Sequence, residues 1–245
     1  MSLFGFSTGA LALGDFRQAL ELLRGLDADA VELSALREKE LPDLMQAAGE
    51  VDLSQFKYVA VHAPSRLAAM TEAEASNLLL PCIDRGWNVV LHPDVVRDAG
   101  CWRPFGPRLC IENMDKRKAT GRDTDELRRF FEELPEASLC LDLAHARQID
   151  TTFSVARTIL SEYGGDRLAQ IHLSGLDSRC HHSHLSWGMV AAVREVSHWM
   201  RPLPPVILES QVAPHAIRDE LRLARESFGE ADADATRGAG IPATA

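Results

Sequence analysis

Residues 58–93, "YVAVHAPSRLAAMTEAEASNLLLPCIDRGWNVVLHP", decide how the rest of the chain is read. The stretch opens on a short valine-rich run, "YVAVHAP", and passes through a longer segment, "EAEASNLLLPCIDRG". It then returns to a second apolar run, "NVVLHP". Near-continuous hydrophobicity over so few residues suits parallel strands buried on both faces, and the segment between them suits a helical crossover. Each strand candidate also ends on a histidine, His62 and His92.

The same alternation extends in both directions. Before the stretch lie "LFGFST" (3–8) and "AVELS" (30–34). After it come "RLCIEN" (108–113), "SLCLDL" (138–143), "LAQIHLS" (168–174) and "VILES" (206–210). Amphipathic segments such as "DFRQALELLRGL", "TDELRRFFEEL", "SVARTILSEYGG" and "MVAAVREVSHWM" separate them. Eight strand-then-helix units in one chain of this length predict a single (β/α)8 TIM barrel over residues 1–228. The fourth helix is expected to be short or missing, because "DVVRDAGCWRPFG" is too brief and too rich in Gly and Pro. The small, polar, unperiodic end at 229–245 reads as a disordered tail.

The formal net charge of −10 over 245 residues opposes a broad phosphate-backbone face. The N-terminus lacks a basic, then apolar, leader and no segment is long enough to span a bilayer. Five scattered cysteines, an odd number, suit reduced thiols in a cytoplasm.

Function is carried by the strand ends. His62, His92, Glu112, Asp142 with His145, His172 and Glu209 all fall late in apolar strands, and Glu32 does so in "AVELS". Each would be costly to bury unpaired, and in a barrel these ends converge on the catalytic face. Imidazole and carboxylate together are ligands for zinc, manganese or iron. The loop "SRCHHSHLSWG" (178–188) adds His181, His182 and His184, whereas His198 and His215 fall on helices away from that face.

These residues resemble the xylose isomerase-like barrel superfamily, which includes sugar isomerases, epimerases and apurinic endonucleases of the endonuclease IV type. Glu112, Asp142, His172 and Glu209 match the single-metal set of its isomerases. His62, His92, the "DLAH" motif (Asp142, His145) and the "HSH" of the loop resemble the endonuclease type, with His182 where that type usually has Asp. The resemblance implies one ion on His62, His92 and bridging Glu112, a second on Glu112, Asp142, His172 and Glu209, and a third on His145, His182 and His184. His181 has no counterpart and reads as surface.

Two chemistries follow from such a centre with two or three Zn, Mn or Fe ions. The favoured one is hydrolysis of a small phosphoester, since the histidine subsites exceed what an isomerase requires. The alternative is a one-metal sugar or sugar-phosphate isomerase or epimerase, with Glu112 and Glu209 as an acid/base pair and His145 on a substrate oxygen. A non-catalytic ligand-binding barrel is disfavoured, because Glu112, Asp142 and Glu209 are all present. Expected substrate contacts are Glu32, Arg66, Lys116, Arg147 and Arg179, with Trp102 and Trp187 bordering the mouth. Brief loops and strong acidity speak against duplex DNA as partner.

Overall fold

A computed structural model describes residues 2–230, and over them the alternation closes into a barrel. Its parallel strands are β1 (Phe4–Ser7), β2 (Ala30–Ser34), β3 (Tyr58–His62), β4 (Asn88–Leu91), β5 (Leu109–Glu112), β6 (Ser138–Asp142), β7 (Leu168–Leu173) and β10 (Val206–Leu208). β1 pairs with β10 to complete the ring. Two short strands outside the ring, β8 (Gly175–Leu176) and β9 (His182–Ser183), form an antiparallel ribbon. All eight strand candidates are strands, and residues 231–245, most of the expected tail, lie outside the described residues.

Helices cover the barrel where the sequence alternates in period 3.6. Phe16–Leu23 and Thr124–Glu133 begin on Asp15 and Asp123, whose carboxylates cap the Gln18 and Glu126 amides. The connection between β4 and β5 holds only 3-10 turns, as its Gly and Pro content predicts. Trp102 lies between the turns of this connection. Expected at the mouth, it is instead fully buried against Phe105, and its indole N–H donates to Glu72 Oε2 at 2.9 Å.

Strand register sets the depth of each polar residue. His62 lies opposite Ser34, Asp142 opposite His172, and Glu32 opposite Ala60. Glu32 therefore stands two residues, one inward-facing layer, deeper than the His62 level.

Candidate metal centre

The C-terminal strand ends converge on Glu112. Its Oε2 is 3.1 Å from His62 Nε2 and 3.3 Å from His92 Nε2. Its other oxygen, Oε1, is 3.2 Å from His145 Nδ1 and 3.4 Å from His172 Nδ1. One carboxylate thus faces two separate sets of imidazoles. His172 Nδ1 is also 3.6 Å from Glu209 Oε1 and 4.0 Å from Asp142 Oδ2.

Local structure aims these groups. Ala63 O accepts the His62 Nδ1 proton at 2.7 Å, which turns Nε2 toward Glu112. Asp142 caps the helix Leu143–Ile149: its Oδ1 accepts from the His145 amide at 2.6 Å, leaving Oδ2 free for the centre. The same cap places the His145 ring one turn on, 3.5 Å from Asp142 Oδ2.

Donor atoms gather in four groups, each within 4.8 Å: His62, His92 and Glu112; Glu112, Asp142, His172 and Glu209; Asp142, His145 and His182; and Glu32, His62 and Glu209. Glu112 Oε1, Asp142 Oδ2 and His172 Nδ1 are buried without a hydrogen-bond partner. Three inward-facing orphans, two of them on carboxylates, are expensive unless a cation joins them. A tetrahedral ion with bonds of about 2.0–2.1 Å separates its ligands by roughly 3.4 Å. The spacings at Glu112 match that value, so the residues fit divalent metal.

Electrostatics agree. Burial alone would depress His62, but its hydrogen bond to Glu112 and the fields of Glu32, Glu112 and Glu209 outweigh it and raise it to about 9. Burial likewise opposes His145, yet Asp142 and Glu112 raise it to about 10. Burial dominates at His92 and lowers it, with His62 and Lys118 adding to the effect. Glu112 is held well below the usual carboxylate range, because the surrounding imidazoles overcome its burial. The carboxylates are thus balanced by protonated imidazoles, whose protons a divalent cation would replace.

No family model matches the sequence, and no curated protein matches it either. Among solved structures, a D-tagatose 3-epimerase-like protein superposes with a TM-score of 0.62 at 14% identity, over 92% of this chain and 97% of its own. Endonuclease IV from Thermus thermophilus superposes at 0.58 with 21% identity, over 94% of this chain and 100% of its own. The IolI protein, solved with a bound zinc atom, superposes at 0.59 with 12% identity, over 92% and 96%. The chain shares the (β/α)8 barrel fold of these three proteins.

Within this barrel the mouth is a cavity of about 300 Å³. His62, His92, Glu112, His145, His182 and Glu209 reach it, as do Asp115, Arg117 and Lys118 from the loop after β5. Lys118 Nζ is 2.8 Å from Asp94 Oδ2 and 3.5 Å from His92 Nδ1, while Arg117 Nε donates to Asp115 Oδ2 at 3.0 Å. Burial pushes the Asp115 carboxyl up, but its hydrogen bonds from Arg117 prevail and hold it below the usual range. The basic run after β5 signalled these two cations, yet the expected contact, Lys116, is exposed and does not line the cavity.

Other expected substrate contacts also lie elsewhere. Arg66 lines a neighbouring groove, Arg179 is exposed, and the Arg147 guanidinium lies over the Phe153 ring at 5.4 Å. Trp187 is 68% exposed and does not line the mouth. Glu32 is fully buried behind His172. His181 is at the surface, its Nδ1 3.4 Å from Asp177.

The ribbon decides which loop histidine enters. β8 and β9 bring His182 to Asp142 and His145, and His182 Nδ1 is 2.7 Å from Ser174 Oγ. His184 is exposed and belongs to none of the four groups, so the third set gains Asp142 in its place. Gly175 makes the ribbon possible, since a Cβ there would meet the His184 carbonyl oxygen at 1.9 Å. Gly175→Ala should open the ribbon, withdraw His182 and weaken metal binding by about 10-fold, the scale of a disturbed ligand environment. His184→Ala should leave binding unchanged. Zinc titration against a competing chelator checks both, and wild-type affinity in Gly175→Ala would show that the ribbon does not deliver a ligand.

Proposed function

We propose that the protein is a metal-dependent hydrolase of small phosphoesters in the cytoplasm, built on a centre of two or three Zn, Mn or Fe ions. One observation carries this reading: Glu112 presents Oε2 to His62 and His92, and Oε1 to His145 and His172. A carboxylate with a ligand set on each side suits the bridge of a multinuclear site, and His62 and His92 are ligands that a one-metal isomerase can spare. Divalent ions at such a site polarise a phosphoryl oxygen, acidify water and offset charge on the leaving oxygen.

The chain's own groups complete the chemistry. Arg117 and Lys118 offer donors to the non-bridging oxygens of the ester. Asp115, only 3% exposed yet on the cavity wall, is an ionised base able to take a proton from attacking water. A cavity of about 300 Å³ in a chain of net charge −10 suits a small anionic substrate in place of a duplex.

The competing isomerase reading has its own support. Glu112, Asp142, His172 and Glu209 form a complete one-metal set with two carboxylates for proton transfer. Loading with zinc or manganese, elemental analysis and assays on p-nitrophenyl phosphate and bis-p-nitrophenyl phosphate separate the two. Two or more equivalents and chelator-sensitive hydrolysis are expected. His62→Ala should remove one equivalent and slow hydrolysis at least 100-fold, which is about 2.7 kcal/mol of the several that a metal ion supplies. One equivalent in both proteins, with solvent deuterium entering a hydroxy-ketone substrate, would establish the isomerase instead.

A further inference from the structure

A carboxylate is buried beneath the metal centre with no place in the ligand sets that the family resemblance implies. Glu32 has no exposed surface, and its Oε2 is 3.0 Å from His172 Nε2 and 2.7 Å from the Gln170 amide nitrogen. A chain of hydrogen bonds continues from there through the barrel floor. The Tyr58 hydroxyl donates to Gln170 Oε1 at 2.6 Å, the Asn88 amide donates to the Tyr58 oxygen at 3.0 Å, and Arg108 donates to Asn88 Oδ1 at 3.2 Å. Arg108, at the opposite end of the barrel, is exposed. A buried line of side chains thus runs from a candidate metal ligand to solvent on the far face.

The direction of these bonds matters because a neutral imidazole holds one proton. The Gln170 amide nitrogen also lies 2.7 Å from His172 Nε2. Left to itself, that amide would donate to Nε2 and drive the ring proton onto Nδ1, the atom that faces Glu112, Asp142 and Glu209. Glu32 reverses the preference. A lone pair on Nε2 would confront its carboxylate oxygen at 3.0 Å where both side chains are fully buried, whereas a proton there is shared with it. The Tyr58 hydroxyl fixes the Gln170 amide with its nitrogen toward Glu32, so the amide too becomes a donor to the carboxylate.

We infer that Glu32 is a positioning residue for the metal centre. It holds His172 in the orientation and tautomer that present Nδ1 to a cation, and the Gln170–Tyr58–Asn88–Arg108 chain holds Glu32. The inference rests on the metal-binding part of the proposed function and is independent of the reaction catalysed. A carboxylate behind a ligating histidine also strengthens it as a donor, which explains a charge kept where an apolar side chain would pack at lower cost.

The test is metal affinity by chelator competition, stoichiometry at saturation and the visible spectrum of the cobalt-loaded protein, all on the full chain. Glu32→Gln keeps an acceptor oxygen for the His172 proton but loses the charge, and should weaken zinc binding by about 10-fold. Glu32→Met leaves the Gln170 amide free to impose the wrong tautomer and should weaken it by up to roughly 100-fold, the upper range for such outer partners. Tyr58→Phe, one step further along the chain, should have a smaller effect of the same sign. In all three, stoichiometry at saturation should match wild type and the cobalt bands should shift. Unchanged affinity in both Glu32 variants would overturn the inference. So would loss of a whole metal equivalent, which would make Glu32 a ligand. Wild-type protein that binds no cation at all would sink the metal centre itself, an outcome distinct from either.

Discussion

Replacing Glu112 with alanine is expected to empty the centre and abolish turnover. Glu112 stands between the two ligand sets: His62 and His92 meet one oxygen, and His145 and His172 meet the other. Without the bridge, the first set keeps only two imidazoles, and the second keeps Asp142, His172 and Glu209 around a gap. Bound metal should fall from two or more equivalents to below one, and activity by at least about 10³-fold. That factor corresponds to about 4 kcal/mol, within the charge stabilisation that metal ions supply to a transition state. Glu112→Gln should behave nearly as badly, because an amide retains the shape but offers one weak oxygen donor. Elemental analysis with a turnover assay checks the pair, and circular dichroism confirms that each variant folds. Two retained equivalents in Glu112→Ala would show that the histidine sets bind independently, and the shared-bridge reading would then be wrong.

How much of this was legible beforehand follows from what each feature depends on. The strands are readable because a doubly covered parallel sheet demands continuous apolar runs, and "RLCIEN" or "SLCLDL" can be little else. The polar strand ends are readable for the converse reason, since Glu112 and Asp142 interrupt those runs where burial would otherwise forbid a charge. Depth is not readable. Glu32 and Ser34 share one face of β2, and only the stagger between strands, seen in the pairing of Ser34 with His62, puts Glu32 below the ligands. Loop side chains are equally hidden, because their direction is set by what the loop packs against. In "HSH", simple alternation would send His182 and His184 the same way. The ribbon ends at Ser183, Leu185 is buried, and its N–H donates to Glu220 Oε1 at 2.7 Å, which turns His184 outward. Lys118 and Lys116 differ in the same way, for only the former reaches back to Asp94. No local pattern distinguishes the members of either pair.

Metal-free protein should lose stability as pH rises from about 6.5 to 10, and metal should cancel the loss. Without cations, the carboxylates of the centre are balanced by protonated histidines, with His62 raised to about 9, His145 to about 10, and His172 well above its ordinary value. A group whose folded pKa exceeds its unfolded one contributes stability that is complete below the unfolded value. For histidine that value is about 6.5, and the contribution disappears as pH climbs through the folded value. At about 1.4 kcal/mol per pKa unit, these buried groups contribute on the order of several kcal/mol, a large share of a typical folding free energy of about 5–15 kcal/mol. Losing roughly 4 kcal/mol would lower the melting temperature by about 10 °C in a chain of this size. Bound metal reverses the trend, because it replaces those protons and binds tighter to neutral imidazole as pH rises. Melting curves of chelated and zinc-loaded protein at pH 6.5, 8 and 9.5 should therefore diverge steadily, with the chelated form falling. A gap that stays constant over that range would mean that protons and metal do not compete for the same histidines, and Glu112 would then need another counter-charge.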